Sequence, residues 1–119
     1  MTEQDRLSEH SWVREFPAAI TICDEGGIIL EMNDKAAKGF ESQGGRGLIG
    51  SNVLDCHPDS ARSKTEHLLA AKEKNVYTIE KNGMKKLIYQ SPWYKDGQYA
   101  GFVELSLEIP SEMPHFIRS

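Results

Sequence analysis

The last third of the chain carries the pattern that most limits its fold. Asn82-Gly83 and Lys95-Asp96-Gly97 each sit between runs that read as strands, and both are strong hairpin signals, because such turns need residues that tolerate positive φ. They divide the segment into strands expected over 76–81, 85–94 and 99–109. In the last of these, Val103, Leu105, Leu107 and Ile109 alternate with Glu104, Ser106 and Glu108. A period of two gives a strand with one buried and one wetter face. Leu105 is expected to lie beneath the helices or beneath an N-terminal helix.

A second hairpin opens the domain. AITIC and IILEM are strand-like, and Asp24-Glu25-Gly26-Gly27 is the turn between them. Asn33 and Asp34 offer side-chain oxygens to cap the short helical run that follows. Gly44, Gly45, Gly47 and Gly50 predict a mobile or tightly turning loop. A short helical turn is expected over 51–56, broken at His57-Pro58, and residues 59–74 read as the longest helix, with Asp59 or Ser60 as its cap. Ahead of all this, residues 4–16 read as a helix with an apolar stripe of Leu7, Trp12, Val13 and Phe16, ended by Pro17. Strands, helices and strands in that order predict an α+β fold on an antiparallel sheet.

With 119 residues the chain is one ordinary domain. At 39% hydrophobic and 27% charged residues it has the composition of a soluble globular protein, and a net charge of −4 gives no basic footprint for nucleic acid. No apolar run approaches a membrane span, and MTEQDRLSEHSW has no signal-peptide core, so no membrane association and a cytoplasmic location are expected. Cys23 and Cys56 do not make a disulfide framework.

The order and spacing of Asp24…Gly27-Ile28-Ile29, Asn33, Leu48-Ile49-Gly50 and Asp96-Gly97…Gly101 resemble the PAS family, over residues 17–109. The resemblance implies a five-stranded antiparallel sheet of order 2-1-5-4-3, with helices on one face enclosing a pocket. It divides the chain into an N-terminal flanking helix (1–16), the PAS domain (17–109) and a tail (110–119). Asp55-Cys56-His57-Pro58 is similar to a segment of certain bacterial PAS domains, some fused to hemerythrin-like domains, and implies redox-linked signalling. The Asn-Cys-Arg-Phe segment of the flavin photoreceptors has no counterpart, so a flavin photocycle is not expected.

The candidate ligand contacts are Cys56, His57, Leu68, Tyr77, Tyr89, Trp93 and Phe102. The aromatics have polar tips suited to a cavity, and equally suit an ordinary core. At a helix start the imidazole of His57 is kept neutral by the helix dipole and could ligate haem iron or hydrogen-bond a ligand; equally, the residue could simply separate two helices. A Cys-His nucleophile lacks its partner set, and no metal-ligand spacing is present, so no enzymatic activity is expected. The expected function is ligand sensing or regulated protein–protein interaction in bacterial signalling, with a haem-based gas or redox sensor and a ligand-free adaptor as alternatives. The expected partners are an unknown small-molecule ligand, a separate signalling protein and a second copy of the chain, the homodimer using the stripe of Leu7, Trp12, Val13 and Phe16.

Overall fold

The computed structural model describes residues 11–56 and 59–119, and the side chains of all of these but 56 and 59–63. Five strands form one antiparallel sheet: β1 (Ala19–Asp24), β2 (Ile29–Met32), β3 (Asn75–Lys81), β4 (Met84–Lys95) and β5 (Gln98–Ile109). Their order is β2-β1-β5-β4-β3, with β5 in the centre beside β1. Between β2 and β3 lie α1 (Asp34–Gly39), 3-10 turns at Glu41–Gln43, Gly45–Leu48 and Val53–Cys56, and α2 (Asp59–Ala71).

Asp24 builds the β1–β2 turn, its carboxylate accepting from the N–H groups of Gly26 and Ile28, both at 2.9 Å. The glycine-rich stretch expected to be a loop winds into the two 3-10 turns before Ile49. The chain then runs along the outer edge of β2, where Ile29 N–H donates to Ser51 O at 2.9 Å and Gly50 N–H to Ile29 O at 2.8 Å. That segment shields one sheet edge from pairing with other chains. Ile29, Met32 and Ala36 form a small core, with Ala19, Phe40, Leu48 and Val53 packed around it.

Asn33 is the N-cap of α1 and is 4% exposed. Its Oδ1 accepts from Ala36 N–H at 3.1 Å and from Ile20 N–H at 2.9 Å. Its Nδ2 donates to the carbonyls of Ala18 at 2.7 Å, Val13 at 3.1 Å and Phe16 at 3.4 Å. Asp34 beside it pairs with Arg14 and Arg46. Of the helix expected over 4–16, residues 11–16 are described. They form a 3-10 turn at Ser11–Val13, because Arg14 and Phe16 bond three residues back instead of four.

The face of β5 is the main departure from expectation. Cross-strand register sets Glu104 opposite Thr21 and Gln90, and Phe102 opposite Cys23 and Pro92. These residues face the helices. Leu105 lies opposite Ile20 and Tyr89, on the other side of the sheet, where it is half-buried. The helices therefore cover the polar alternation of β5, and among the described residues no helix covers the aliphatic one; the other expected cover, the N-terminal helix, lies outside the described residues up to residue 10. α2 also stops earlier than expected, at Lys72, whose φ of +57° breaks the helix. The tail from Pro110 has no regular secondary structure.

Asn33→Ala removes a cap, worth about 1 kcal/mol, and leaves buried backbone groups of Ile20 and Ala18 without their partner, at about 1–3 kcal/mol each. Urea unfolding is expected to show a loss of roughly 3–7 kcal/mol on these terms. Asn33→Asp should regain part of its stability on acidification, since only a protonated carboxyl can again donate to the Ala18 carbonyl.

Candidate functional site

α2 is held over the sheet by lysines on tyrosine rings, one near its middle and one just past its C-terminal end. Lys64 Nζ lies 5.3 Å from the centroid of Tyr77 on β3, and Lys72 Nζ 4.7 Å from that of Tyr99 on β5. Tyr99 Oη also donates to the Leu69 carbonyl at 3.4 Å. Beneath the helix lies a cavity of about 50 Å³. Leu68, Leu69 and Phe102 give it apolar walls, while Thr21, Gln90 and Glu104 bring polar groups from three adjacent strands. An open cleft of about 420 Å³ adjoins it under α1, bordered by Lys35, Lys38, Lys86 and Glu108. Thr21 and Glu104 line both spaces, and a third, of about 20 Å³, beside Met32 and Phe40. This cross-strand pair is the junction of the space under the helices.

Asn75 Nδ2 donates to Gln90 Oε1 at 2.8 Å, which leaves the Gln90 amide N–H groups as the donors it can offer the cavity. Burial pushes the Cys23 thiol above its ordinary value, aided by the charges of Asp24 and Glu104 and opposed by a backbone hydrogen bond at Phe102. Tyr77 is raised for the same first reason, and then by the charge of Glu104. These groups stay neutral across the physiological range, and Glu104 is the one charged side chain among the described residues lining the 50 Å³ cavity.

Of the residues singled out by sequence, Leu68 and Phe102 meet in this cavity. Tyr77 is on the same side of the sheet but at its outer strand, under Lys64. Tyr89 pairs with Val76 and Leu105 on the opposite face, away from the cavity. Trp93 does structural work: its Nε1 donates to the Cys23 carbonyl at 3.0 Å, spanning from β4 across β5 to β1. Gly101 lies opposite Trp93 and has φ +146°; a methyl group there would fall 2.0 Å from the Cys23 carbonyl oxygen. His57, Leu7 and the side chain of Cys56 lie outside the described residues. Trp12 and Phe16 are exposed and meet edge to face at 6.1 Å, and Val13 is half-buried.

Thr21, Cys23, Gln90 and Glu104 were missed by sequence reasoning. Their signal was the period of two counted from Phe102. A residue at 102 and one at 105 cannot share a strand face, so a pocket at Phe102 implies one at Glu104.

The haem alternative turns on His57, which lies outside the described residues. A cavity of about 50 Å³ holds a water or two, and a porphyrin needs a broad apolar slot. Among the described residues no cluster of His, Cys, Asp or Glu could hold a metal ion.

The sequence matches no protein-family model and no curated protein. The fold does match solved structures. The PAS domain of Bordetella pertussis BvgS is 20% identical with a TM-score of 0.63, covering 90% of this chain and 88% of that one. The PAS domain of the histidine kinase ThkA is 22% identical with a TM-score of 0.60, over 76% and 97% of the two chains. The Aer2 receptor of Vibrio cholerae, described as a dual PAS-heme oxygen sensor, is 15% identical with a TM-score of 0.56, over 78% and 95%.

The fold is a PAS fold.

The PAS sheet order and the helical cover expected from the sequence are both present. No helix among the described residues is long and apolar enough to cross a membrane.

The raised thiol of Cys23 has a consequence for alkaline stability. Between the ordinary thiol value and its higher folded value, the unfolded chain loses the proton first. The folded state then binds more protons, and stability falls as pH rises through that window. In a Cys56→Ser background, Cys23 is expected to react with an aromatic disulfide reagent at neutral pH at least about a hundredfold more slowly in the native than in the urea-unfolded chain, since thiolate fraction and access both limit the reaction. Equal rates would show that the cavity wall is open to solvent.

Proposed function

We propose that this chain is a sensory module of bacterial signal transduction that binds a small polar molecule at the Thr21–Gln90–Glu104 junction and passes the change to a separate signalling protein. The observation that carries this reading is the convergence of the Thr21 and Thr65 hydroxyls, an amide and a carboxylate on a cavity walled by Leu68, Leu69 and Phe102. A few fixed polar groups among apolar walls are what orients a small ligand. A carboxylate accepts hydrogen bonds, so the ligand carries N–H or O–H donors, and a body small enough for the cavity or long enough to extend into the neighbouring cleft. ThkA, a histidine kinase, and Aer2, a receptor described as an oxygen sensor, carry domains of this fold, which supports the class of function. The Cys56-His57-Pro58 segment supports a redox-linked branch of such signalling.

The same reading includes a cytoplasmic homodimer. Trp12 and Phe16 expose 62% and 43% of their surface, and burying such side chains is favourable by roughly 1.5–3 kcal/mol each. They would pair, with Leu7 and Val13, about a two-fold axis.

Ligand extraction followed by mass spectrometry tests the proposal. Wild-type protein is expected to release a small molecule and to be stabilised against heat by adding it back. Leu68→Trp fills the cavity and should abolish both effects. Glu104→Gln removes a charge-assisted hydrogen bond and should weaken binding by at least about tenfold, consistent with about 1.5–3 kcal/mol for such bonds. Protein that releases nothing, and whose melting is unmoved by any small donor molecule, would point instead to a ligand-free adaptor. A Soret band on haem titration, lost in His57→Ala, would return the haem reading.

A further inference from the structure

The sheet face turned away from the helices is apolar along its centre. Ile20 and Ile22 of β1, Val103, Leu105, Leu107 and Ile109 of β5, and Leu87 and Tyr89 of β4 share it through the cross-strand register. Its charged groups stand on or toward the margins: Glu31 on β2 opposite Ile22, Asp24 at the end of β1 opposite Gly101, and Glu80 on β3 opposite Lys85. Glu80 and Lys85 are cross-strand neighbours of opposite sign, and the carboxylate of Asp24 is taken up by the N–H groups of its own turn, so the carboxylate left to an outside partner is that of Glu31. No ion pair joins Glu31 to another described residue.

The arm after β5 has the complementary composition. Pro110 stops the strand, the chain bends at 111–112, and residues 113–119 run on without regular structure. Met113, Phe116 and Ile117 are 57%, 70% and 92% exposed. The arm's backbone hydrogen-bonds to no described residue, and its one ring contact is internal, Arg118 lying 5.7 Å from the centroid of Phe116. Pro110 and Pro114 hold it extended at low entropic cost. Its fixed cation, Arg118, six residues beyond the arm's carboxylate Glu112, is opposite in sign to Glu31. Since the arm's side chains stand in solvent, the arm does not cover the sheet face of its own chain.

We infer that residues 110–119 dock across the open sheet face of a second copy, with Met113, Phe116 and Ile117 on the Leu105–Leu107–Tyr89 surface and Arg118 directed to Glu31. The exchange is reciprocal, so each copy supplies one arm and one face and the assembly closes as a two-fold dimer. This inference stands apart from the ligand reading, and its surface is separate from the Trp12–Phe16 contact.

Mixed-label NMR on the full chain tests it. One population carries a nitroxide at Ser119→Cys in a Cys56→Ser background, Cys23 being buried. The other is 15N-labelled and unmodified. Broadening of the Tyr89, Leu105 and Leu107 amides in the 15N population is expected. Sedimentation should show Phe116→Asp with Ile117→Asp, and separately Leu105→Lys, each raising the dimer dissociation constant at least about tenfold, while circular dichroism stays unchanged. Broadening confined to a chain that carries both labels would mean that the arm folds back on its own face, and would overturn the inference. So would a dimer that keeps its affinity in both variants, or a wild-type chain that stays monomeric at several hundred micromolar. A variant with altered circular dichroism is set aside, and the mixed-label broadening then decides.

Discussion

A single buried amide, Asn33, stands where three segments of the chain meet. Its oxygen caps α1 and holds the N–H of Ile20, while its nitrogen gathers the carbonyls of Val13, Phe16 and Ala18. Asparagine is suited to this because it presents a donor and an acceptor on one short, uncharged group. An aspartate would set a charge against three carbonyl oxygens, and a glutamine would reach too far to cap. The direction in which α1 leaves β2 follows from these bonds. That direction places Ala36 in the core and Phe40 against it, and it sets the wall of the cleft in which Lys35 and Lys38 stand. The helical cover over the polar side of β5 thus begins at Asn33.

Beyond Phe102, β5 inverts the usual distribution of polarity, while Ile29, Met32 and Ile88 on other strands keep apolar side chains under the helices. Under the helices, β5 presents Glu104, Ser106 and Glu108; toward the outside it presents Val103, Leu105 and Leu107. Burying polar groups is unfavourable without partners, and leaving a broad aliphatic surface in water is equally unfavourable. Neither side is explained by the stability of an isolated domain. A polar interior lining suits a site that exchanges hydrogen bonds with water or a ligand, and an apolar outer face suits a surface that another polypeptide covers.

The architecture was legible in the sequence because it is written in turns. Asp24-Glu25-Gly26-Gly27, Asn82-Gly83 and Asp96-Gly97 fixed three hairpins, and Asn82 and Asp96 do adopt positive φ, 54° and 51°. Given three hairpins and the family resemblance, the order 2-1-5-4-3 followed. The site was legible only in part. Leu68 and Phe102 were found because large apolar side chains on a helix and a strand tend to meet. Glu104 was passed over because a charged residue in an alternating strand is ordinarily the solvated one. Tyr89 and Trp93 were grouped with Phe102 by their chemistry, although position within the strand decides the face. Trp93 turned out to tie β4 to β1 over Gly101, a role that depends on the close approach of backbones and that no local pattern encodes.

The two halves of the proposed activity lie on opposite sides of one strand. Glu104 faces the cavity and Leu105, its neighbour in sequence, faces the outer surface, so any shift of β5 that adjusts one side chain moves the other. β5 is bonded on both sides, to β1 and β4, and cannot slide in register without breaking two ladders. Its accessible motions are therefore small twists and the irregular point at Trp93–Tyr94, where the β4 ladder already steps. A ligand that prefers one twist changes the population of that twist by its difference in affinity for the two forms, and by no more. A partner seated on Leu105 and Leu107 has its own preference between the same two forms. The ligand and the partner are then coupled through a shared element whose two faces they read, and reciprocity requires that the covering chain alter ligand affinity by the same factor as the ligand alters the docking.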